Sequence, residues 1–170
     1  IESEIYQTAL CHDLGKITMI DSIFIYGRDL LDREYDIIRL HTASGVKLLR
    51  QHDSTYAYAD AAGQHHVWYD GSGGYPENSG RPSVAANIVS VADSIDAATD
   101  DIGRSYRRGK SLDEICDEII CGSGTRYAPY VTELLSDPGV RDDLMFLLTE
   151  GRQNRYRRMY QLLSGVSERQ

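Results

Sequence analysis

Four histidines and two aspartates are placed along the chain where they could bind metal ions together. His12 and Asp13 are adjacent at the end of the first helical pattern, and His65 and His66 end the third. An adjacent imidazole and carboxylate can both ligate one divalent metal, and the carboxylate can also bridge to a second. The His-Asp pair alone is weak evidence, because such a pair also occurs by chance on protein surfaces.

His41 and Asp93 strengthen the interpretation as a metal cluster. His41 lies three residues after Ile38 on the apolar side of the second helical pattern, where a lone histidine is more often a core residue. Asp93 follows Ala86 and Val89 at helical spacing on an apolar face. A buried carboxylate costs several kcal/mol unless it is paired or metal-bound. The whole set therefore favours a metal cluster, and imidazole with carboxylate suits iron, manganese, zinc or nickel.

The elements that must position these residues are nearly all helical in pattern. Apolar residues recur at helical spacing, and alternating strand patterns are scarce. The predicted fold class is therefore all-α. The predicted helices cover 1–13, 32–49, about 54–66, about 82–96, 111–121, about 128–136 and about 139–163, the last with a break at Gly151.

Several residues are typical of helix starts. Asp32 is a candidate cap for the second helix. Pro82 occupies a position that proline favours at the first turn of a helix. Ser111 and Glu114 have the spacing of a capping box.

The loops are concentrated in two segments. Residues 67–81 contain four glycines and a proline and no helical period, and structureless connections of this length are usually functional or disordered. Within this loop, Asp70 precedes Gly71, which favours a turn role over metal ligation for that aspartate. The second break covers 100–110.

Composition bounds the function. The 170 residues suit one domain, and 41% hydrophobic and 26% charged residues provide for a sizeable core. A net charge of −8 argues against a general binder of duplex nucleic acid. No apolar run reaches the roughly 18 residues of a membrane span.

The three cysteines form no disulfide framework and no zinc pattern, which favours a cytoplasmic location. Helical spacing begins at Ile1 without a start signal, so we expect a piece of a longer protein.

The motifs resemble those of a known family. His12-Asp13-Leu14-Gly15-Lys16 matches the core motif of the HD phosphohydrolase superfamily, and the segment from His65 to Pro76 is similar to the signature of its HD-GYP branch. The resemblance continues through three later segments, Val91–Asp93 with Asp96-Ala97, Arg104–Arg107, and Gly122–Thr125 with Pro129.

This resemblance implies a fold and an activity. It implies an HD-domain helical bundle over residues 1–136 with its N-terminal helix missing, followed by a helical extension over 137–170. The HD-GYP branch hydrolyses the bacterial messenger cyclic di-GMP, to pGpG or GMP, with a metal-activated water. Two or three divalent metals are implied, with iron as the first choice and manganese, nickel or zinc as alternatives.

The resemblance also assigns roles by position. The implied metal ligands are His12, Asp13, His41, His65, His66 and Asp93. Asp13 would bridge the metals and act in catalysis together with Lys16. The implied substrate-binding residues are Lys16, Gly74, Tyr75, Pro76, Arg104 and Arg107. Two alternatives stay open, because Lys16 could simply pair with Asp13, and the two arginines could be surface charges.

Several departures from the family pattern bear on activity. The family has a further histidine ligand on an earlier helix, and in some members an upstream acidic ligand, but only eleven residues precede His12 here. Val67 replaces a usual glutamate, the glycine loop has one extra glycine, Ser105 replaces a proline, and Ile102-Gly103 resembles an insertion.

These departures leave three functions open. They are a phosphodiesterase for cyclic di-GMP, another HD-type nucleotide phosphohydrolase, and a non-catalytic module that binds a cyclic dinucleotide or a protein partner. We expect a cyclic dinucleotide as ligand, an upstream sensory or regulatory domain, a possible homodimer and no membrane contact by this segment.

Overall fold

The regular elements of the described chain are helices. The structure is a computed structural model, and it describes residues 1–19, 31–77, 79–100 and 109–165. Within these ranges there is no β-strand, and two isolated bridges, Val67 with Gly74 and Ser123 with Tyr127, are the only β-type pairings. The predicted all-α class is confirmed.

The chain divides into two compact units, Ile1–Glu133 and Leu134–Gln170. The domain boundary predicted after residue 136 stays a prediction. The α-helices of the first unit are α1 (Glu2–Cys11), α2 (Asp32–Arg39), α3 (His41–Leu49), α4 (Asp53–Tyr56), α5 (Ala59–Gln64), α6 (Val84–Thr99), α7 (Leu112–Cys121) and α8 (Pro129–Thr132). A 3₁₀ helix, Leu14–Met19, follows α1, and a second, Glu133–Ser136, follows α8.

Two helices that the sequence pattern predicts as continuous are broken. The predicted helix 32–49 is interrupted at Leu40, whose N–H donates to the Ile37 carbonyl at 3.0 Å and so closes α2 with a tight turn. The predicted helix 54–66 is likewise divided into α4 and α5. A break of one or two residues leaves the apolar spacing on both sides intact, so periodicity does not detect it.

The structure confirms one of the predicted helix starts and corrects two. Ser111 and Glu114 form the capping box before α7. Asp32 is not a cap, since α2 is preceded by Leu31, whose N–H is satisfied by the Glu34 carboxylate at 2.7 Å. Pro82 lies outside α6, because the Ser83 hydroxyl accepts from Ala86 N–H at 3.2 Å and is the N-cap.

Two glycines bring the first 3₁₀ helix against α3. A Cβ on Gly15 would lie 1.9 Å from the His41 carbonyl oxygen and 2.6 Å from the Gly45 nitrogen. Only a residue without a side chain permits this approach of the two backbones. The contact carries the His12-Asp13 segment to the N-terminus of α3, where His41 begins the helix.

We expect Gly15→Ala to destabilise the protein. The methyl group would meet backbone atoms that cannot move aside, and overpacking of this kind costs about 1–3 kcal/mol. Gly45→Ala is the matched control, because its Cβ would lie 3.4 Å from the Gly15 nitrogen, an ordinary contact. Urea denaturation gives the free energy of unfolding of both variants. Equal stability of Gly15→Ala and Gly45→Ala would contradict this contact.

The glycine loop after α5 is tied to the turn after α7. Tyr69 N–H donates to the Arg126 carbonyl, and Asp70 N–H donates to the Thr125 carbonyl, both at 3.1 Å. Gly74 has a φ of +83°, and a Cβ there would lie 2.0 Å from the His66 carbonyl oxygen. The loop that follows His66 is therefore folded back onto that histidine.

The second unit is also helical. It contains α9 (Pro138–Phe146) and α10 (Arg152–Ser164), separated by a π-helical turn, Leu147–Gly151. The predicted break at Gly151 thus takes the form of this turn. Across the described residues, the helices fall short of the length and apolarity required to cross a membrane.

Candidate metal centre

Four separate pieces of backbone supply the candidate ligands. His12 directly follows the last residue of α1, and Asp13 comes next. His41 is the first residue of α3, and His65 and His66 directly follow α5. Asp93 lies in the middle of α6. The structure brings all six predicted ligand residues to one place.

Three of these imidazoles are oriented in the same way. The Nδ1 atoms of His12, His41 and His65 lie 2.7, 2.6 and 2.6 Å from the carbonyl oxygens three residues earlier, those of Ala9, Ile38 and Ala62. A carbonyl accepts, so Nδ1 must donate, and the neutral ring then keeps its lone pair on Nε2. Hydrogen bonds of this kind orient metal-binding histidines and select their tautomer.

The Nε2 atoms converge at the centre. His41 Nε2 lies 3.4 Å from His65 Nε2, in a place where both side chains are fully buried. Two sets of three residues each bring ligand atoms within 4.8 Å of one another and could hold an ion. These sets are His41, His65 and His66, and His12, His65 and Asp93. We call them set A and set B.

Asp13 lies between the two sets. Its Oδ1 is 3.3 Å from His41 Nε2 in set A, and its Oδ2 is 3.3 Å from His12 Nε2 in set B. Asp93 Oδ1 reaches the same His12 atom at 3.6 Å. One carboxylate with an oxygen toward each set has the geometry of a bridging ligand.

Two unsatisfied atoms indicate that this place suits a cation. His12 Nε2 and Asp13 Oδ1 are buried and have no hydrogen-bond partner among the described residues. Buried polar atoms are normally paired, and an unpaired one costs about 1–3 kcal/mol. Both atoms are good metal ligands, and the nitrogen and oxygen donors around them match the preferences of transition metals.

The charges in the cluster are consistent with that conclusion. Burial lowers the pKa of His65 to about 4, and it also lowers the pKa of His41 and of His66, so these rings are neutral at pH 7. Burial lowers the pKa of His12 as well, but the carboxylates of Asp13 and Asp93 outweigh it and raise that pKa to about 10. The two carboxylates beside His12 thus favour positive charge at this place.

Lys16 forms an ion pair with Asp13 beside the ligand cluster. Its Nζ lies 2.5 Å from Asp13 Oδ2, and both side chains are about one-third exposed. The predicted alternative, a pair between Lys16 and Asp13, is therefore present. An ammonium group has three donors, and Asp13 engages one of them, so the pair leaves Lys16 able to contact a second anion.

Two clefts open from the ligand cluster, and His66 lines both. The first has a volume of about 650 Å³ and extends along α6 and α7, past Asp93 and Lys110. The second has a volume of about 450 Å³ and is walled by the glycine loop, including Trp68, Gly74 and Tyr75. Either cleft is large enough to admit part of a nucleotide-sized ligand.

Comparison with known proteins agrees with this geometry. The sequence model of the HD domain family matches residues 2–131 of the chain. The chain belongs to the HD domain family. HD domains are metal-dependent, and the histidine and aspartate sets described above could hold the metal. The family prediction from the sequence is confirmed.

Several curated relatives are about one-third identical to this HD domain over the aligned residues. A cyclic di-GMP phosphodiesterase of Thermotoga maritima is 36% identical over 135 residues, which are 77% of this chain and 36% of that protein. The cyclic di-GMP phosphodiesterase response regulator RpfG of Xanthomonas campestris is 30% identical, with coverage of 77% and 35%. The 3'3'-cGAMP-specific phosphodiesterase 1 of Vibrio cholerae is 30% identical, with coverage of 72% and 29%. The chain thus spans about a third of the length of these relatives.

Only some of the predicted substrate-binding residues of this HD domain line the second cleft. Gly74 and Tyr75 line the second cleft, and the Tyr75 ring packs on His66 with centroids 4.5 Å apart. Pro76 follows them but does not line that cleft. Arg104 and Arg107 lie outside the described residues. Asp70 accepts from Ser72 N–H at 2.8 Å, which is the turn role expected for it.

Sequence reasoning missed two arginines of the second cleft. Arg39 and Arg126 both line it together with His66. Arg39 lies two residues before His41, and Arg126 directly follows the Gly122–Thr125 motif. These positions beside predicted site motifs could have indicated both arginines as site residues.

Proposed function

We propose that this HD domain is a metal-dependent phosphodiesterase that hydrolyses cyclic di-GMP to pGpG, GMP or both. The observation that carries the proposal is the pair of ligand sets that share His65 and have Asp13 between them. Relatives named for hydrolysis of cyclic di-GMP or 3'3'-cGAMP support the substrate class. Divalent metals bound at such a centre supply Lewis acidity and lower the pKa of water, which is the chemistry that phosphodiester hydrolysis requires.

Metal binding and phosphate binding would fall to different residues of the chain. His41, His65 and His66 would hold one metal, His12 and Asp93 would hold a second, and Asp13 would contribute an oxygen to each. His65 serves only one ion, because its Nδ1 donates to the Ala62 carbonyl and Nε2 has a single lone pair. Lys16, held beside Asp13 by its ion pair, would donate to a non-bridging phosphate oxygen and stabilise the charge that develops there. Burial of His41 and His65 excludes water from the back of the centre and keeps their unprotonated Nε2 atoms directed inward.

Iron is our first proposed metal. The donors are imidazole and carboxylate without thiolate, since none of Cys11, Cys116 and Cys121 belongs to either ligand set. Manganese, nickel and zinc accept the same donors. A third metal, an upstream sensory or regulatory domain, a homodimer and a cytoplasmic location stay predictions.

Metal removal tests the proposal directly. We expect purified protein to contain about two equivalents of transition metal by elemental analysis and to hydrolyse cyclic di-GMP. Treatment with a chelator should abolish hydrolysis, and addition of Fe²⁺ or Mn²⁺ should restore it. Parallel assays with 3'3'-cGAMP and with nucleoside triphosphates separate this activity from other HD chemistry. Metal-loaded protein that binds cyclic di-GMP without hydrolysing it would establish the non-catalytic alternative.

A further inference from the structure

The second cleft combines a metal-binding histidine with two arginines. His66, a member of set A, forms part of its wall, and Arg39 and Arg126 line it from two separate elements. The chain carries a net charge of −8, so two guanidinium groups in one cleft form a local concentration of positive charge. This arrangement suggests an anion site beside the metal centre.

Arg39 enters the cleft from the C-terminus of α2. Its Cζ lies 5.9 Å from the centroid of the Tyr75 ring. Its ion pair is with Asp36 at 3.3 Å, where the two side chains are 58% and 71% exposed. Exposed pairs of this kind contribute little, so Arg39 can exchange Asp36 for a phosphate at small cost.

Arg126 enters from the turn after α7. Its backbone carbonyl accepts from Tyr69 N–H at 3.1 Å, so the turn is fastened to the loop that walls the cleft. Its guanidinium lies over the ring of buried Tyr127 at 5.0 Å, and the Tyr127 hydroxyl donates to Ser94 Oγ at 3.1 Å. No carboxylate of the described residues forms an ion pair with Arg126.

We propose that Arg39 and Arg126 bind the second phosphodiester of a cyclic dinucleotide whose first phosphodiester lies at the metal centre; this inference rests on the proposed function. A cyclic dinucleotide carries two phosphodiesters in one ring, so fixing one of them leaves the other within the span of the same molecule. Guanidinium is the group best suited to hold phosphate with two parallel hydrogen bonds. Glu77 also lines this cleft, and in the described part of the chain it forms no ion pair with either arginine.

The test compares substrates with two phosphodiesters and with one. Cyclic di-GMP carries both, whereas bis(p-nitrophenyl) phosphate presents a single phosphodiester and needs only the metal centre. The variants are Arg39→Gln and Arg126→Gln. Arg33→Gln is the matched control, because Arg33 lies on the same helix as Arg39 and does not line the cleft. Metal content is measured for each variant.

We expect kcat/KM for cyclic di-GMP to fall roughly ten- to hundred-fold in each variant, which is the value of a hydrogen bond to a charged group. The rate on bis(p-nitrophenyl) phosphate and the metal content should stay at the wild-type level. Calorimetry on chelator-treated protein gives a readout independent of turnover, and there the affinity for cyclic di-GMP should fall about tenfold. Arg33→Gln should change none of these values.

Other outcomes overturn the inference. Unchanged kcat/KM for cyclic di-GMP would show that the arginines do not contact the substrate. An equal fall on both substrates, or loss of metal, would assign them to the structure of the centre. If the wild-type protein hydrolyses neither substrate, the proposed function fails. The anion site is then judged by calorimetry alone, and equal affinities of wild-type and variant proteins reject it.

Discussion

Asp13→Asn is expected to lose bound metal and to abolish hydrolysis of cyclic di-GMP. Asp13 directs one oxygen toward each ligand set, at 3.3 Å from His41 Nε2 and 3.3 Å from His12 Nε2, so no other described residue can replace it. Asparagine keeps the shape of the side chain but removes the charge that would hold two cations. Elemental analysis of the purified variant measures the loss directly.

Lys16→Ala provides the contrasting result. Lys16 contacts Asp13 but belongs to neither ligand set, so the variant should retain its metal. Removal of a donor aimed at developing charge costs roughly 100- to 1,000-fold in kcat. Lys47→Ala, an exposed lysine on α3, is the control and should behave as wild type. A Lys16→Ala protein without metal, or an active Asp13→Asn protein, would refute the assignment of roles.

His65→Gln is expected to deplete mainly the metal held by His41, His65 and His66, whereas His12→Gln should deplete mainly the other. His65 lies within ligand reach of both sets, but only its Nε2 lone pair is available, since Nδ1 donates to the Ala62 carbonyl. Glutamine retains much of the volume of histidine, which limits the cavity left in the core. The measurement is metal stoichiometry per chain, followed by the dissociation constant of the remaining metal.

His52→Gln is the matched control for these variants. It is the one of the five histidines that lies outside the ligand cluster, and it is exposed at the start of α4. Its metal content should equal that of the wild type. If either His65→Gln or His12→Gln keeps both metals at the wild-type stoichiometry, the two-metal assignment is wrong.

The helical fold was largely predictable from local patterns. Apolar spacing indicated the helices, and the Ser111-Glu114 capping box marks the start of α7 as expected. The break at Leu40 was not predictable, because the apolar spacing continues across it while the backbone turns. That turn places His41 at the N-terminus of a new helix, where its ring meets Asp13.

Which residues could bind metal was already evident from residue types and motifs. Histidine and aspartate side chains carry metal-binding donor atoms in any fold. The motif around His12 together with the segment after His65 was sufficient to predict the family. Even the turn role of Asp70 followed from its neighbour Gly71, since an Asx turn depends only on adjacent residues.

How those residues come together depends on long-range packing. The position of His65 within reach of both sets, the position of Asp13 between the sets, and the meeting of Arg39 with Arg126 all depend on contacts between residues far apart in the chain. The close approach of Gly15 to Gly45 sets one such distance, and the bond from Tyr69 to Arg126 sets another. Local patterns carry no information on these distances, because they result from the packing of whole helices against one another.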